Sequence, residues 1–521
     1  MPIHSAYPAV DIPPVSLFQY LFADLAPQHA DKLAIADSGT SATYSELRDM
    51  IERFAGALAA RGIGKGDVVA LHCPNSTTFA VAFHGILRAN ATVTTVASMA
   101  TADDVEKQLR LSGAKAILTT SAIGWAGHQG GENAGLSDDK IIGLTGIHGI
   151  AEMLLEGSPV PEEDIDSEHD VAVIPFSSGT TGVPKGVQLT HQNLVANLVQ
   201  MGSIIGGHID ENTIAVTPLP FFHIYGMNVL LNLLLAVRAS QYAMAKFDLL
   251  EFLELVQTHK ANFAFIAPPI AVGLAKHPGV DAYDLSSLTK ILSGAASLQA
   301  DLASLVERRI GCEITQGFGM TELSPVSHVR LDQSTPVDSI GLAIPNTSYK
   351  LVDVSDPALT EIQPPASGRS EAGELWIHGP QVMLGYLNNP EANSIILVDG
   401  WLRTGDIAEM DADGNVYIVD RLKELIKYKG YQVAPAELED ILLQHPDIAD
   451  AACVGVVDRA GDEIPKAFVV KREGANVSED DIIDFVAERV AAYKKVREVE
   501  FIAEVPKSAT GKILRKNLKQ L

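Results

Sequence analysis

Helix-like and strand-like signals alternate along most of this chain, and that alternation limits its fold more than any other feature. Residues 44–60 place Leu47, Ile51, Phe54 and Leu58 on one helical face, with Gly62 and Gly64 beyond to end the helix. Residues 68–71 then give a short apolar run of the kind found in strands buried on both faces. Similar runs recur at 116–118, 172–174, 214–216, 263–266 and 290–292, separated by helical stretches. A chain patterned this way is expected to form stacked α/β layers on parallel sheets. From about residue 340 the pattern changes to short pieces split by Gly and Pro, at 349–352, 374–377 and 416–419, which predicts a small antiparallel sheet or barrel. The most apolar stretch, 227–237, is interrupted by Asn228 and Asn232. It falls far short of the roughly 20 residues a membrane span needs, so a buried helix is expected there and no membrane span.

After Asp420 the sequence turns basic for ten residues, RLKELIKYKG, 421–430. Pro435 can open a helix with Leu438, Ile441 and Leu442 on one face. Ser478 can cap another, with Ile482, Phe485, Val486 and Val490 inward. The last hundred residues or so therefore predict a small α+β domain, and 521 residues leave room for roughly three domain-sized units.

The net charge is −26, from 65 acidic and 39 basic residues, which repels a nucleic-acid backbone and excludes nucleic acid as an expected partner. Local donors can still hold a small phosphate ligand against such a screened field. Cys73, Cys312 and Cys453 lie far apart with no metal or CxxC spacing, so free thiols in a reducing compartment are expected. The first residues show no basic stretch leading into an apolar run, and the last three, Lys-Gln-Leu, differ from the peroxisomal Ser-Lys-Leu. The expected compartment is the cytoplasm.

The strongest local signal follows the apolar run 171–176: Ser177-Ser178-Gly179-Thr180-Thr181-Gly182-Val183-Pro184-Lys185-Gly186. Hydroxyls and glycines let backbone N–H groups approach an anion, and Lys185 adds a positive charge, so a phosphate loop is expected here, with a flexible surface turn as the plain alternative. It departs from the Walker pattern, because Pro184 stands where that pattern places Gly before the Lys.

This loop resembles the signature of the adenylate-forming superfamily of acyl-CoA synthetases, luciferases and peptide-synthetase adenylation domains. Further stretches match that superfamily in order over nearly the whole chain: 220–226 (PFFHIYG), 316–322 (QGFGMTE), 400–406 (GWLRTGD), 420–430 and 506–512 (PKSATGK). The resemblance implies a large N-terminal adenylation domain, residues 1–420, with a small β subdomain at about 340–420, and a mobile C-terminal α+β domain, residues 421–521. It implies ATP, Mg²⁺ and coenzyme A as ligands, a small carboxylic acid as substrate, and a monomer or homodimer.

Residue roles follow from the same resemblance. Ser177, Ser178, Gly179, Thr180, Thr181, Gly182 and Lys185 would cradle the phosphates. Asp406 would accept from the ribose hydroxyls, since a carboxylate offers paired acceptors. Thr321 would meet the adenylate phosphate, and Glu322 would ligate Mg²⁺, a hard cation that takes oxygen ligands. His223 would orient the carboxylate, Tyr225 would line the acyl pocket, and Arg421 would pair with ATP. Lys423 would mark the hinge. Lys512 would bridge the charge that develops on the acid and on the departing pyrophosphate. After rotation of the small domain, residues 423–430 would replace Lys512 at the site, with Lys429 and Gly430 seating coenzyme A. Taken without the resemblance, His223 reads as a core histidine, Glu322 as a solvated loop carboxylate, 421–430 as a solvated helix face and 506–512 as an exposed basic tail.

Within the superfamily the sequence looks most like the plant-type coumarate:CoA ligases, above all in DRLKELIKYKGYQVAPAEL, 420–438. Tyr225, Ala295, Gln316 and Gly317 match acyl-adenylate contacts there, and Lys246, Lys427 and Gln432 match coenzyme A and catalytic positions. Val229 stands where those enzymes often carry Ser, and Val329 where they often carry Met. Both changes touch the acyl pocket and point to breadth toward aryl or medium-chain acids, because an apolar pocket separates neighbouring methylenes by only about 1–3 kcal/mol. The function expected is an ATP-dependent carboxylate–CoA ligase working through an acyl-adenylate. Three alternatives stay open on sequence: a luciferase-like oxygenase, separable by light emission with luciferin; a ligase that passes its acyl group to a free carrier protein; and a catalytically silent nucleotide-binding protein.

Overall fold

The computed structural model describes residues 2–145, 149–177, 184–331, 334–428, 431–458, 463–507 and 511–519. Two mainly parallel sheets form its larger part. One runs in the order Gly385–Tyr386, Lys185–Thr190, Val171–Val173, Thr92–Thr95, Val68–His72, Ala116–Thr119, Ile141–Gly143, with Phe176–Ser177 paired beside Lys185–Thr190. The strands from Val171–Val173 to Ile141–Gly143 are mutually parallel, and the two at the other edge are antiparallel. The second sheet has nine strands, of which the six from Glu313–Gly319 through Lys290–Ser293, Phe263–Ile266, Ile214–Thr217 and Ser240–Ala243 to Leu33–Ala36 are parallel. The apolar runs read from sequence thus become fully or nearly fully buried strands, because helices cover both faces.

Helix Tyr44–Ala60 buries Leu47, Ile51, Phe54 and Leu58, all at 0% exposure. Its start is fixed by a capping box, with the Thr43 side chain accepting from Glu46 N–H and the Glu46 carboxylate accepting from Thr43 N–H. Thr43→Ala removes half of that pair and is expected to lower stability by about 1 kcal/mol, read as a reduced denaturant midpoint at unchanged slope.

The apolar segment at 227–237 is helical, as its composition predicts, but not a simple α-helix. Tyr225–Asn232 forms a π-helix, with Leu233 N–H bonded to the Asn228 carbonyl, and it continues as the α-helix Leu233–Ala236. The wider coil keeps Gly226 against the Pro220 carbonyl, which a Cβ there would strike. Tyr225 consequently sits at the mouth of the second sheet.

The third sheet is antiparallel throughout, a seven-stranded half-barrel built on Ser348–Val352, Gly373–His378, Trp401–Met410 and Val416–Arg421. Its make-up differs from the stretch expected from sequence in two ways. Ile3–His4, from the opposite end of the chain, joins it by pairing with Ser348 and Tyr349, and Leu342–Ala343, inside that stretch, belongs to the second large sheet instead. Residues after 421 form the hairpin Ile426–Tyr428/Tyr431–Val433 and a three-stranded sheet, Ile448–Val457, Glu463–Lys471 and Glu498–Phe501. Helix Pro435–Leu443 buries Leu438 and Leu442, and helix Glu479–Ala487 has Ser478 in a capping box and buries Ile482 and Val486. These side chains make a core separate from the large one.

Among the described residues no helix is long and apolar enough to cross a membrane. Residues 421–428 are not helical: they leave the half-barrel strand, make a turn at 421–425 with Leu425 N–H on the Arg421 carbonyl, and form the first strand of the hairpin.

Candidate active site

The carboxyl ends of the parallel strands open into one cavity of about 1040 Å³, floored by the large sheets and roofed by residues after 421. Open α/β sheets bind ligands at this end. The cavity is lined by Ser177 and Lys185 from the phosphate-loop region, His223 and Tyr225, Ala295, Gly317, Thr321 and Glu322, and Arg421, Lys423 and Lys512. Residues more than three hundred positions apart therefore face the same space. Ser178, Gly179, Thr180, Thr181 and Gly182 lie outside the described residues, as do Lys429, Gly430 and the side chains of Lys427 and Gln432. The backbones of Lys427 and Gln432 are opposite one another in the hairpin.

One limb of the cavity is apolar. Met201, Val229, Leu292 and Val329 line it with Tyr225 and Gly294. The Tyr225 hydroxyl donates toward the carbonyls of Leu292 at 3.2 Å and Ile266 at 3.4 Å, so its polarity is turned to the strand ends. Burial raises its pKa far above the ordinary phenol value. Its ring lies on Gly294, where an added Cβ would come within 2.9 Å of it; only glycine leaves that space. Ala295 follows at φ +70°, a left-handed conformation costly for alanine and of a kind that collects at functional sites. His223 stacks beside Phe222 at 4.5 Å, and burial lowers its pKa to about 4, leaving it neutral at pH 7.

The other limb is polar, lined by Thr404, Arg421 and Lys512, with Asp406 behind that lining. Asp406 is 3% exposed, and its Oδ1 takes the Arg421 Nε at 3.1 Å. Its Oδ2 is buried without a hydrogen-bond partner, a costly state that hydroxyl donors from a ligand would relieve. Burial raises the Asp406 pKa, opposed by the positive charges of Arg421 and Lys512. Lys512, read locally as an exposed tail, is instead half-buried at the cavity. Burial and the neighbouring Arg421 lower its pKa to about 8, against the pull of Glu424 and Asp406. Its loop is close-packed, since a Cβ on Gly511 would run into the Pro269 ring.

Glu322 is 6% exposed and accepts from the Tyr386 hydroxyl at 2.8 Å. The Lys185 ammonium stands 4.9 Å from the centre of the same Tyr386 ring. A buried carboxylate separated from the Lys185 ammonium by one tyrosine ring suits Mg²⁺, which keeps water and phosphate oxygens and needs only one or two protein carboxylates.

Three sequence-derived positions are not part of the cavity lining: Asp406, which lies behind Arg421, and two more. Gln316 is spent on backbone: its Oε1 accepts from Leu298 N–H, and its Nε2 donates to the Val337 and Ser339 carbonyls at 3.1 and 3.0 Å. Lys246 is exposed on the loop after Ser240–Ala243 and does not line the cavity. Conversely, sequence patterns do not single out Tyr386 or Arg515. Arg515 donates to Glu424 at 2.5 Å and to both oxygens of Glu439 at 2.8 and 2.7 Å. Its position three residues after Lys512 is the only local hint. Tyr386 has none, because its place arises from sheet pairing.

The model of the AMP-binding enzyme family matches residues 22–387, and that of the AMP-binding enzyme C-terminal domain matches 437–512. The chain is 38% identical to 4-coumarate–CoA ligase 5 of Oryza sativa subsp. japonica over 99% of its own length and 96% of that protein's. Among solved structures it superposes on a benzoate CoA ligase from Burkholderia xenovorans LB400 with a TM-score of 0.86 at 27% identity, covering 97% of this chain and all (100%) of the other. ATP-bound MatB from Rhodopseudomonas palustris gives a TM-score of 0.87 at 25% identity, covering 97% and 98% of the two chains. The apo form of MatB gives 0.76, so the arrangement here follows the nucleotide-bound form more closely. By family match, full-length likeness and a site where both family segments meet, this chain belongs to the AMP-binding enzymes that form adenylates, and within them to the acyl-CoA synthetases related to the 4-coumarate–CoA ligases.

Proposed function

We propose that this protein joins a carboxylic acid to coenzyme A at the expense of ATP, through an enzyme-bound acyl-adenylate, and that its acid is an aryl, hydroxycinnamic or medium-chain fatty acid. The observation that carries the reading is one cavity with an apolar limb on one side and Arg421 and Lys512 on the other, with Asp406 held behind that wall by its ion pair to Arg421. A carboxylate acylates poorly because its leaving group is oxide, and transfer to AMP supplies a better one. The acid enters the apolar limb beside neutral His223 and Tyr225. Asp406 Oδ2 accepts from the ribose, and Thr321 and Lys185 face the phosphates. Glu322 would hold Mg²⁺, which neutralises the triphosphate and orients it. Lys512 then stabilises charge on the attacking and leaving oxygens.

The division at 420/421 is proposed as the hinge. Asp420 supports it: its Oδ1 accepts from Arg421 N–H and its Oδ2 from Ala436 N–H, so one carboxylate ties the half-barrel to helix Pro435–Leu443. Rotation there would withdraw Lys512 and bring Lys427, Lys429, Gly430 and Gln432 to the thioester step, with Lys423 at the pivot. The chemistry is complete in one chain, which fits a monomer or a homodimer. Three free, buried cysteines fit a reducing cytoplasm.

The test is acid-dependent exchange of labelled pyrophosphate into ATP, followed by CoA-dependent thioester formation, over cinnamates, benzoates and short- to long-chain fatty acids. Exchange with no acid of any class would sink the proposal. Because Lys512 must carry its proton to act, and its pKa is about 8 in the free protein, kcat/KM for ATP is expected to fall as pH rises through that value. A profile flat to pH 9.5 would remove Lys512 from the first step.

A further inference from the structure

Segment 383–387 is fastened on three sides. Met383 N–H bonds the Glu322 carbonyl at 2.9 Å, and Leu384 N–H and Leu387 N–H bond the carbonyls of Gln188 and Gly186 at 3.0 and 2.8 Å. Asn393 clamps Tyr386 itself, accepting its N–H at 2.7 Å and donating to its carbonyl at 3.0 Å. The segment is thus a splint between the strand that begins at Lys185 and the turn that carries Glu322. Tyr386, 5% exposed, is the side chain it delivers between them. Its hydroxyl donates to Glu322 Oε1 and its ring face meets the Lys185 ammonium.

We infer that Tyr386 is a positioning residue for metal–nucleotide binding, acting through Glu322 and Lys185. This rests on the reading above that Glu322 faces the cation and Lys185 the phosphates. The phenol engages one carboxylate oxygen and restrains the plane of the group, which leaves the other oxygen of this cavity-lining residue for a ligand. The ring has a second effect. A lysine this close to a buried carboxylate would pair with it and compete with a cation. The π face offers the ammonium another partner, worth a fraction of a direct ion pair and easily given up when phosphate oxygens arrive. One side chain thereby keeps a cation and an anion apart until the nucleotide bridges them. Partners that orient metal-binding groups in this way typically change metal affinity by about 10- to 100-fold when removed.

The measurement is Mn²⁺ binding to the full-length protein with ATP and no acid, followed by electron paramagnetic resonance. Tyr386→Phe keeps the ring and loses the hydroxyl, and it is expected to weaken Mn²⁺ binding by about tenfold or more. Tyr386→Leu loses both and is expected to weaken it further. In a Glu322→Gln background, Tyr386→Phe should add less than about twofold, since the two act as one unit. A purely structural role would not show that dependence. Asn393→Ala, which loosens Tyr386 while keeping the phenol, is expected to weaken binding by a few-fold and serves should the Phe variant not fold. Unchanged Mn²⁺ binding in Tyr386→Phe or Asn393→Ala overturns the inference, as does an undiminished effect in the Glu322→Gln background. Wild-type pyrophosphate exchange run alongside separates that failure from a failure of the ligase reading.

Discussion

Lys512→Ala is expected to lower acid-dependent ATP–pyrophosphate exchange by about 10²–10³-fold while leaving thioester formation from supplied acyl-adenylate near the wild-type rate. The size follows from removing one well-aimed donor at a developing charge in a water-poor site, about 3–4 kcal/mol of transition-state stabilisation. The asymmetry follows from the proposed hinge. Lys512 and Arg421 line one cavity in the present arrangement, and the proposed rotation at 420/421 would carry Lys512 away with the residues that follow. The adenylate no longer needs it, because the pyrophosphate has left. Folding should be unaffected or slightly improved, since a lysine whose pKa is lowered in the native state costs stability when charged. Exchange within threefold of wild type, or equal loss in both half-reactions, would show that the lysine does not serve adenylation alone.

Arg515→Met is expected to have the largest effect on stability, about 3–5 kcal/mol at pH 8.5, confined to residues after 420. The guanidinium is consumed completely: Nη1 on Glu424, Nη2 on Glu439, and Nε on the Cys453 carbonyl at 3.2 Å. Glu424 and Glu439 side chains are 15% and 9% exposed, so removing their cation leaves two largely buried carboxylates without that counter-charge, Glu439 keeping the Cys453 N–H at 2.7 Å. Burial already raises the Glu439 pKa to about 7 with Arg515 present. A carboxyl whose folded pKa exceeds its unfolded value binds more protons when folded, so stability rises as pH falls through that range. The variant's deficit should therefore shrink from pH 8.5 toward pH 6, as Glu439 takes up a proton. All three tryptophans, Trp125, Trp376 and Trp401, precede residue 421 and would not sense this. Hydrogen exchange of strand Ile448–Val457 would. Equal deficits at both pH values would mean that Glu439 stays charged. Because Arg515 follows Lys512 so closely, the same variant should also slow adenylation.

Local apolar patterning alone determined the strands at 263–266 and 290–292 and the helix at 44–60, because burial on both faces or on one face leaves a local signature. Spacing against the adenylate-forming pattern marked Lys185, Glu322, Asp406 and Lys512 as partners. What it could not supply was their environment. The same pattern also marked Gln316, whose side chain is fully occupied by three backbone groups, and Lys246, which stands outside the cavity.

The π-helical start of the 227–237 segment and the joining of Ile3–His4 to Ser348–Val352 were decided by tertiary packing, as was the splint that brings Tyr386 between Lys185 and Glu322. Each depends on contacts between residues far apart in the chain, and such contacts impose no period on the sequence. The chain alone therefore specified which chemistry-bearing groups are present and roughly in what layers. Only the folded arrangement decided which of them are desolvated together, and in this site desolvation and charge neighbours set how Lys512, Asp406 and Glu439 hold their protons.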